Sequence, residues 1–204
     1  MNNWLKNISP WFLGRQNKAI TIVPYHEKWE VEFRLLKKHL AENLHDFKIE
    51  IEHVGSTAIN GLWAKPILDV DIIICEKNRL PEISQLLQNL GYIAKGEQGV
   101  SGRYAFRQSK KTSSIFGNKM EMKHHLYVCF ADSTALKNHL LFRDTLKKSP
   151  ALVDEYTQLK QNILENKHLD RYTYARLKTA FIISVLEKGG LSEEEIQEIR
   201  ASNA

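Results

Sequence analysis

The chain has few cysteines and no long hydrophobic run. Its two cysteines, Cys75 and Cys129, have no metal-type pairing, and both fall in predicted strands, so we expect buried, reduced thiols. No apolar run reaches the roughly 18 residues that a membrane-spanning helix needs. The sequence also lacks zinc-type spacing, a Walker-type phosphate loop and a supported serine–histidine–acid arrangement. With these arrangements absent, the aspartates and the basic side chains are the remaining candidates for a functional site.

Neither sign of charge dominates. The chain has 29 lysines and arginines against 24 acidic residues, a net charge of +5. This modest excess permits an anionic small molecule as partner, but the basic residues are dispersed and form no aromatic–basic stripe, so nucleic acid is not expected. The first residues lack a signal-peptide core, which predicts a cytoplasmic protein without a membrane anchor.

The length predicts one folded domain. With 204 residues the chain can bury a substantial core. We expect residues 21–204 to form a single domain, with a helix and sheet over 21–131 and helices over 132–204. Residues 1–20 form an N-terminal extension, either a strap over the apolar surface of the domain or a weak membrane-surface element.

The hydrophobic pattern predicts an α+β fold, a mixed sheet of about five strands flanked by helices, with a helical C-terminal half. Apolar residues recur at helical spacing over 26–44 and alternate over 47–53. The other predicted elements are strands at 66–75, 91–95, 103–108 and 121–130, and helices at 80–90, 132–147, 150–165, 170–187 and 192–201. Asp132, Asp170 and Ser192 are the expected N-caps of three of these helices.

The most informative stretch begins with a Gly-Ser turn, which follows the strand predicted over residues 47–53. Gly55 allows a tight turn and a close backbone approach to a ligand. Ser56 and Thr57 then open a short helical segment whose free N–H groups suit an anion. The sequence therefore predicts an anion-binding turn here.

Two aspartates follow on an apolar strand. Asp69 and Asp71 are two residues apart, so on a strand they share one face, while their apolar neighbours point into the core. Two charges on one face of such a strand require a positive partner. A hard divalent cation, which takes carboxylate oxygens and brings a phosphate with it, is the expected partner.

This arrangement resembles the nucleotidyltransferase superfamily, which has the DNA polymerase beta-like fold. The fuller string Gly-Ser-Thr-Ala-Ile-Asn-Gly-Leu-Trp-Ala-Lys-Pro-Ile-Leu-Asp-Val resembles the GrpB family more narrowly. The resemblance extends to His125-Leu126, Phe142-Arg143-Asp144, the region of Tyr156 and Lys160, and Tyr174 to Lys178. It covers most of the chain, from about residue 20 to about residue 188, and implies a nucleotidyltransferase-like fold.

The resemblance also implies a chemistry. In that superfamily, two or three carboxylates hold divalent metal ions against a nucleoside triphosphate, and a Gly-Ser turn grips the phosphates. Carried onto this chain, Asp69 and Asp71 are the catalytic metal-binding pair, with Mg²⁺ (or Mn²⁺) as cofactor. Gly55 and Ser56 match the phosphate-binding turn.

A third metal ligand is less easily placed. Superfamily members that use one generally place it on a later strand, here 121–130, whose polar face offers Glu121, His125 and Tyr127 but no aspartate. His125 is predicted to be a metal ligand or a general base, since its ordinary pKa lies near neutrality. A structural histidine under a loop is the alternative. The family tends to have His-Leu-His here, and Tyr127 departs from that pattern.

Three cations are candidates for binding phosphate. Lys178 and Arg143 fall on the apolar faces of their predicted helices, where a charge needs an anionic partner. Both could face the aspartate pair, or they could form internal ion pairs, with Asp144 or Asp154 as possible partners. A third alternative is that the lysine side chain extends so that its ammonium reaches solvent. Lys65, at the entrance to the aspartate strand, could contact phosphate or be solvated.

The sequence leaves three functions open. The first is a Mg²⁺-dependent nucleotidyltransferase acting on an unknown acceptor. The second is a non-catalytic protein with a degenerate metal site that binds a nucleotide or another small anion. The third is a buried structural network of the aspartates with Arg143 and Lys178. The oligomeric state is not predicted.

Overall fold

The computed structural model describes residues 20–109, 112, 122–165 and 171–197. The helices and strands are, in chain order, α1 (Lys28–Asn43), β1 (Ile49–Val54), β2 (Ile67–Ile74), α2 (Leu80–Asn89), β3 (Ile93–Gly96), β4 (Arg103–Arg107), β5 (Lys123–Phe130), α3 (Thr134–Lys147), α4 (Pro150–Glu165) and α5 (Arg171–Lys188). Short 3-10 turns lie at Ser56–Ala58 and Lys77–Arg79. The predicted α+β class is confirmed. Residues 1–19, Glu121 and Asp170, which carried predictions, lie outside the described residues.

The strands form one mixed sheet in the order β1-β2-β5-β4-β3. Strand β2 runs antiparallel to β1 and parallel to β5, and β4 runs antiparallel to both β5 and β3. A parallel pair needs a crossover connection, and here α2, β3 and β4 lie between β2 and β5 along the chain. As an interior strand, β2 holds its two aspartates between side chains from two neighbouring strands.

One face of the sheet packs against α1 and α2. The stripe predicted for the first helix is buried, as are the core-facing residues of β2. These buried side chains are Trp29, Phe33, Leu36, Leu40 and Leu44 of the first helical segment, and Leu68, Val70, Ile72 and Ile74 of β2. They belong to one apolar cluster with Ile83 and Leu87 of α2. Burial of this face forces Asp69 and Asp71 onto the opposite face, because side chains alternate along a strand.

The opposite face is covered by the helical C-terminal half. Leu136 of α3 packs with Ile73 and Cys129 of the sheet. A second cluster joins the segment after the Gly-Ser turn to α3, α4 and α5, and contains Ile59, Leu62, Leu146, Leu152, Val153, Tyr156, Phe181 and Val185. This packing brings three helices to the same side of the sheet as the two aspartates.

Two details correct the sequence-based predictions. Ser133, rather than Asp132, is the N-cap of α3, and its hydroxyl accepts a hydrogen bond from the Leu136 amide at 3.3 Å. Asp132 pairs instead with Lys77, at 2.7 Å. Cys75 was predicted to be buried but is exposed, because it follows the last residue of β2, whereas Cys129 is buried as expected.

The last predicted helix begins as expected. Its described part covers residues 193–197. The Ser192 hydroxyl accepts from the Glu195 amide at 3.3 Å, and the Glu195 carboxylate accepts from the Ser192 amide at 3.0 Å. This reciprocal pair is a capping box, so the prediction of Ser192 as N-cap is confirmed. None of the described helices is long and apolar enough to cross a membrane.

Candidate functional site

The turn at the end of β1 requires glycine for two reasons. Gly55 has a φ of 69° and a ψ of −171°, a conformation that is strained for any other residue. A Cβ at this position would also collide with the carboxylate of Asp69. The backbone of the turn therefore packs directly against the first aspartate. Ser56, the next residue, hydrogen-bonds the hydroxyl of Tyr156 on α4.

Thr57 lies beneath the turn and not on its ligand-facing side. Its side chain is buried, and its hydroxyl donates to the Ile67 carbonyl at 3.2 Å and pairs with the His53 ring at 3.0 Å. Burial lowers the pKa of His53 to about 4, so the ring is neutral near pH 7. The predicted phosphate-binding role does not fit Thr57, because its hydroxyl is used to join the turn to β1 and β2.

Asp69 pairs with His125, as the parallel register of β2 and β5 allows. The two residues are register partners, and His125 Nδ1 lies 2.8 Å from Asp69 Oδ1. Burial raises the pKa of Asp69, but the hydrogen bond from His125 and the nearby imidazoles outweigh it and hold that pKa below its ordinary value. Asp69 is therefore ionised near pH 7. The structure thus brings His125 to Asp69, and its role as a metal ligand or general base stays a prediction.

Asp71 pairs with a histidine that the sequence did not single out. The Asp71 side chain is completely buried, and its Oδ2 accepts from His139 Nδ1 of α3 at 2.7 Å. The other carboxylate oxygen, Oδ1, has no closer partner among the described residues, and the Cys129 thiol is the further hydrogen-bond donor to this carboxylate. His139 lies one helical turn from Leu136 and one turn from Arg143, so it shares their inward-facing side of α3. That spacing was the sequence signal that could have identified it. The site therefore contains two adjacent aspartate–histidine pairs.

Three lysines converge beside the turn. The ammonium groups of Lys65 and Lys178 both contact the ring of Tyr174, at 4.7 Å and 4.5 Å from its centroid. Lys160, which had no predicted role, is almost completely buried, donates to the Trp63 carbonyl and lies 4.3 Å from the centroid of the Tyr156 ring. Sequence periodicity could not show that these residues, from a loop and two helices, meet.

The lysines influence one another electrostatically. Burial first, and then the charge of Lys178, lowers the pKa of Lys160 to about 7. Burial and the charge of Lys65 lower the pKa of Lys178 to about 8, against the opposing effect of Asp69. Asp69 and Lys178 thus interact electrostatically, and the role of Lys178 in phosphate binding stays a prediction. The cluster carries an excess of positive charge that an anion would relieve.

These pKa values predict how stability depends on pH. Between about pH 7 and the ordinary lysine pKa of 10.5, the unfolded chain binds more protons than the folded one, so the free energy of unfolding rises with pH. Urea unfolding at increasing pH should show a rise of up to about 1.4 kcal/mol per pH unit from Lys160, which Lys160→Met removes. The exposed control Lys188→Met should keep it. Equal slopes in wild type and Lys160→Met would contradict this prediction.

A model of the GrpB protein family matches residues 19–188. The chain belongs to the GrpB family. It is 33% identical over 72% of its length to the UPF0157 protein YqkA of Bacillus subtilis, and spans only 40% of that protein. It is 25% identical over 86% of its length to the glutamate-rich protein GrpB of Alkalihalophilus pseudofirmus, and there it spans 99% of the relative. The family predicted from the Gly55 motif is confirmed.

A solved structure of a GrpB protein agrees with this membership. The crystal structure of conserved protein GrpB from Enterococcus faecalis aligns with a TM-score of 0.70 and 26% identity, covering 88% of this chain and 99% of that one. A poly(U) polymerase bound to MgATP aligns at a TM-score of 0.41 and 18% identity, over 69% of this chain and 45% of that one. The second similarity is too weak to assign a function.

Arg143 of this GrpB-family chain forms an internal ion pair, one of the two alternatives that the sequence left open, and has a further partner that was not anticipated. Its guanidinium, 12% exposed, donates to Glu52 on β1, to the His53 carbonyl at 3.0 Å and to Asp144 at 2.7 Å. The predicted partner Asp144 is thus present, but Glu52 was not anticipated. Glu52 is the register partner of Asp71, so Arg143 stands next to the aspartate pair without bonding it. Its role in phosphate binding stays a prediction.

The two aspartates are the residues that would hold a divalent cation, although no metal site is preassembled in the described part of the chain. Within the described ranges, no three His, Cys, Asp or Glu side chains are arranged to hold a metal. Apart from His139, the donor that reaches the buried Asp71 carboxylate is the thiol of Cys129, a weak donor, so this carboxylate keeps acceptor capacity. Asp69, 33% exposed, offers a second carboxylate on the same face. Two carboxylates on one face of a strand are oxygen donors of the kind that hard divalent cations take.

Proposed function

We propose that this GrpB-family chain is a nucleotidyltransferase that binds a nucleoside triphosphate and transfers its nucleotidyl group to an acceptor. The observation that carries the proposal is the convergence of Lys65, Lys160 and Lys178 beside the Gly-Ser turn and Asp69. A cluster of one buried and two partly buried lysines, in which Lys178 repels both of the others, matches a substrate with several adjacent negative charges. A triphosphate is such a substrate.

Each part of the site has a role in this proposal. The turn at Gly55 lets backbone approach the phosphates, and the Ser56 hydroxyl can donate to them. Lys65 and Lys178 neutralise phosphate charge and orient the leaving pyrophosphate. Asp69 and Asp71 would hold Mg²⁺ or Mn²⁺, and a bound divalent ion would neutralise the charge that develops during transfer.

The second candidate is a protein that binds a nucleotide or another small anion without transferring it. It is favoured by the histidine pairing of both carboxylates and by the lack of a preassembled three-ligand metal site in the described ranges. Under this alternative, the lysine cluster binds the anion, and the aspartates bond the two histidines.

Thermal unfolding in the presence of nucleoside triphosphates, with and without Mg²⁺, separates these functions when combined with an assay for released pyrophosphate. The proposal predicts stabilisation by at least one triphosphate that increases with Mg²⁺, together with pyrophosphate release. Stabilisation without Mg²⁺ dependence or release would favour the binding protein. The absence of stabilisation by any triphosphate would contradict the nucleotidyltransferase and would restrict the second candidate to a small anion other than a triphosphate.

Lys178→Met is expected to weaken triphosphate binding by about 10- to 100-fold, because a hydrogen bond to a charged group contributes roughly 1.5–3 kcal/mol. Methionine keeps the apolar length of the side chain and so preserves packing against Tyr174. The matched control is Lys188→Met, at the exposed end of the same helix, which should bind as the wild type does. Isothermal titration would measure both. Equal affinities for the two variants would place the phosphates elsewhere.

A further inference from the structure

The polar face of the sheet is basic on the β4 side of the aspartates. Paired residues on neighbouring strands point to the same face of a sheet. Asp69 pairs with His125 of β5, and His125 pairs with Arg107 of β4. Arg103 of β4 and Lys123 of β5 lie on the same face, because each is an even number of residues from Arg107 or His125. Strands β3, β4 and β5 contain no acidic residue, so we call Arg103, Arg107 and Lys123 the basic face.

Part of the basic face is open to solvent. The side chains of Arg107 and Lys123 are exposed, and every residue of the adjoining edge strand β3 is exposed. Helix α3 packs over the same face of the sheet where β2 and β5 end, through Leu136. A charged ligand can therefore reach the basic face from solvent and lie next to the aspartates.

Arg103 is directed towards the aspartates. Its guanidinium lies 4.7 Å from the centroid of the Tyr127 ring, and Tyr127 is the register partner of Asp71. Burial is the main cause that raises the pKa of Tyr127, and the charge of Asp69 adds to it, whereas the charge of Arg103 opposes both. The Arg103 guanidinium and the Asp69 carboxylate therefore both act on this ring, which lies between them.

Arg103 also keeps donor capacity that an anion could use. Its Nε is buried and has no hydrogen-bond partner among the described residues, which is costly for a donor. Arg79, in the turn after β2, likewise has a buried Nε without such a partner, but its guanidinium pairs with Glu82 at 3.1 Å. Arg103 forms no ion pair within the described part of the chain. A planar guanidinium of this kind matches the oxygens of a phosphate group.

Two groups of cations flank the aspartate strand. Strand β1 and its Gly-Ser turn lie on one side of β2, where Lys65 and Lys178 meet, whereas β5 and β4 lie on the other side. A transfer reaction needs both substrates positioned at the reacting centre. With the triphosphate bound by the lysines, the basic face is available for the acceptor.

We propose that the basic face binds the acceptor through a phosphate group, which Arg103 contacts, and that the acceptor is a small phosphorylated molecule. In the transfer, an acceptor oxygen forms the bond to the α-phosphorus, the bond to pyrophosphate breaks, and the proton of the acceptor oxygen passes to solvent. Arg103 and Arg107 are four residues apart, about 13 Å along the strand. This length fits one or two phosphate groups and not the several backbone phosphates that a polynucleotide-binding protein contacts. The proposal rests on the proposed function, which supplies the position of the triphosphate.

Nuclear magnetic resonance of the arginine Nε–H groups tests the proposal. Glycerol 3-phosphate, a small phosphate monoester, is titrated into the ¹⁵N-labelled chain without nucleotide. The Arg103 signal, assigned with Arg103→Lys, should shift until it saturates. The Arg79 signal is the matched control and should not shift, because its guanidinium already has a carboxylate partner. Arg103→Gln should weaken binding of the probe at least about tenfold, and circular dichroism would check that both variants are folded.

Inorganic tripolyphosphate distinguishes the two groups of cations. The Arg103 signal should respond to glycerol 3-phosphate even when tripolyphosphate is saturating, and also in the Lys178→Met variant. Loss of the response in either case would place both anions in one site and overturn the proposal. It would also be overturned if Arg103 did not shift, or if Arg79 and Arg103 shifted equally.

A single-stranded DNA oligonucleotide of about ten nucleotides tests the size of the acceptor. Tighter binding of this oligonucleotide than of glycerol 3-phosphate at Arg103 would overturn the assignment of a small molecule. These measurements use no nucleoside triphosphate, so they do not depend on turnover. A phosphate group bound at Arg103, together with an absence of pyrophosphate release in the separate assay, would support the phosphate site and contradict the proposed function alone.

Discussion

The Asp69→Asn variant is expected to release pyrophosphate from nucleoside triphosphates at least about 100-fold more slowly than the wild-type chain. Removing one of the two carboxylates proposed to hold the metal ion lowers the stabilisation of charge in the transition state by several kcal/mol. Each 1.36 kcal/mol is about a tenfold change in rate. Asparagine keeps an Oδ1 that can accept the hydrogen bond from His125 Nδ1, so the fold should be preserved. Asp69 is the better position to test because Asp71 is completely buried.

The control for this prediction is Asp46→Asn, which removes an exposed carboxylate outside the site. It should release pyrophosphate at the wild-type rate, and both variants should unfold with similar midpoints. A rate for Asp69→Asn within about threefold of the wild type would show that no metal bound by this carboxylate takes part in the transition state. Such a result would favour the binding protein over the enzyme.

Much of the fold could be predicted because its signals are local. The apolar residues from Trp29 to Leu44 recur at the spacing of one helix face, so only a helix can bury them together. The apolar residues of β2 alternate with its aspartates, so only a strand places them on one buried face. The Gly55 turn could be recognised because its Gly-Ser pair and the aspartate strand lie in one short stretch. The structure then explains the glycine, because its φ is positive and the Asp69 carboxylate leaves no room for a Cβ.

The partners of the charged residues could not be predicted, because they depend on contacts between distant parts of the chain. Arg143 bonds Glu52, which is 91 residues away and on a different layer. The sequence offered Asp144 as a neighbour but gave no reason to choose a residue on β1. His139 lies among inward-facing leucines of α3, so the sequence pattern gave it no polar partner. The packing of that helix over the sheet brings it to Asp71.

Lys160 shows the same limitation for the phosphate-binding cluster. It is a buried lysine on α4 whose ammonium bonds a carbonyl in the segment after the Gly-Ser turn, 97 residues earlier. Its position fixes Trp63 against α4 and adds charge beside Lys178. The candidate site therefore depends on the helical half as much as on the aspartate strand, which is why the motif alone left catalysis and binding unresolved.

Gly55→Ala is expected to abolish stabilisation by triphosphates and to lower the stability of the chain by several kcal/mol. A residue with a Cβ is strained at this φ and ψ by about 1–3 kcal/mol. In addition, the Cβ would lie 3.0 Å from both Cβ and Cγ of Asp69 and closer still to its carboxylate oxygen. Relief of that contact must move either the turn or Asp69. Either movement separates the phosphate-binding turn from the metal-binding carboxylate.

Gly96→Ala distinguishes the effect of backbone strain from the effect of the contact between a Cβ at position 55 and Asp69. Gly96 has a φ of 70°, close to that of Gly55, but a Cβ there would meet nothing within 4 Å. It should lose stability through backbone strain alone and keep its triphosphate binding, measured as the shift in unfolding midpoint with and without nucleotide. If the two variants lost stability equally and both kept the nucleotide shift, the close approach of the turn to Asp69 would not be needed for binding. A loss of the nucleotide shift confined to Gly55→Ala would show that the ligand depends on that approach.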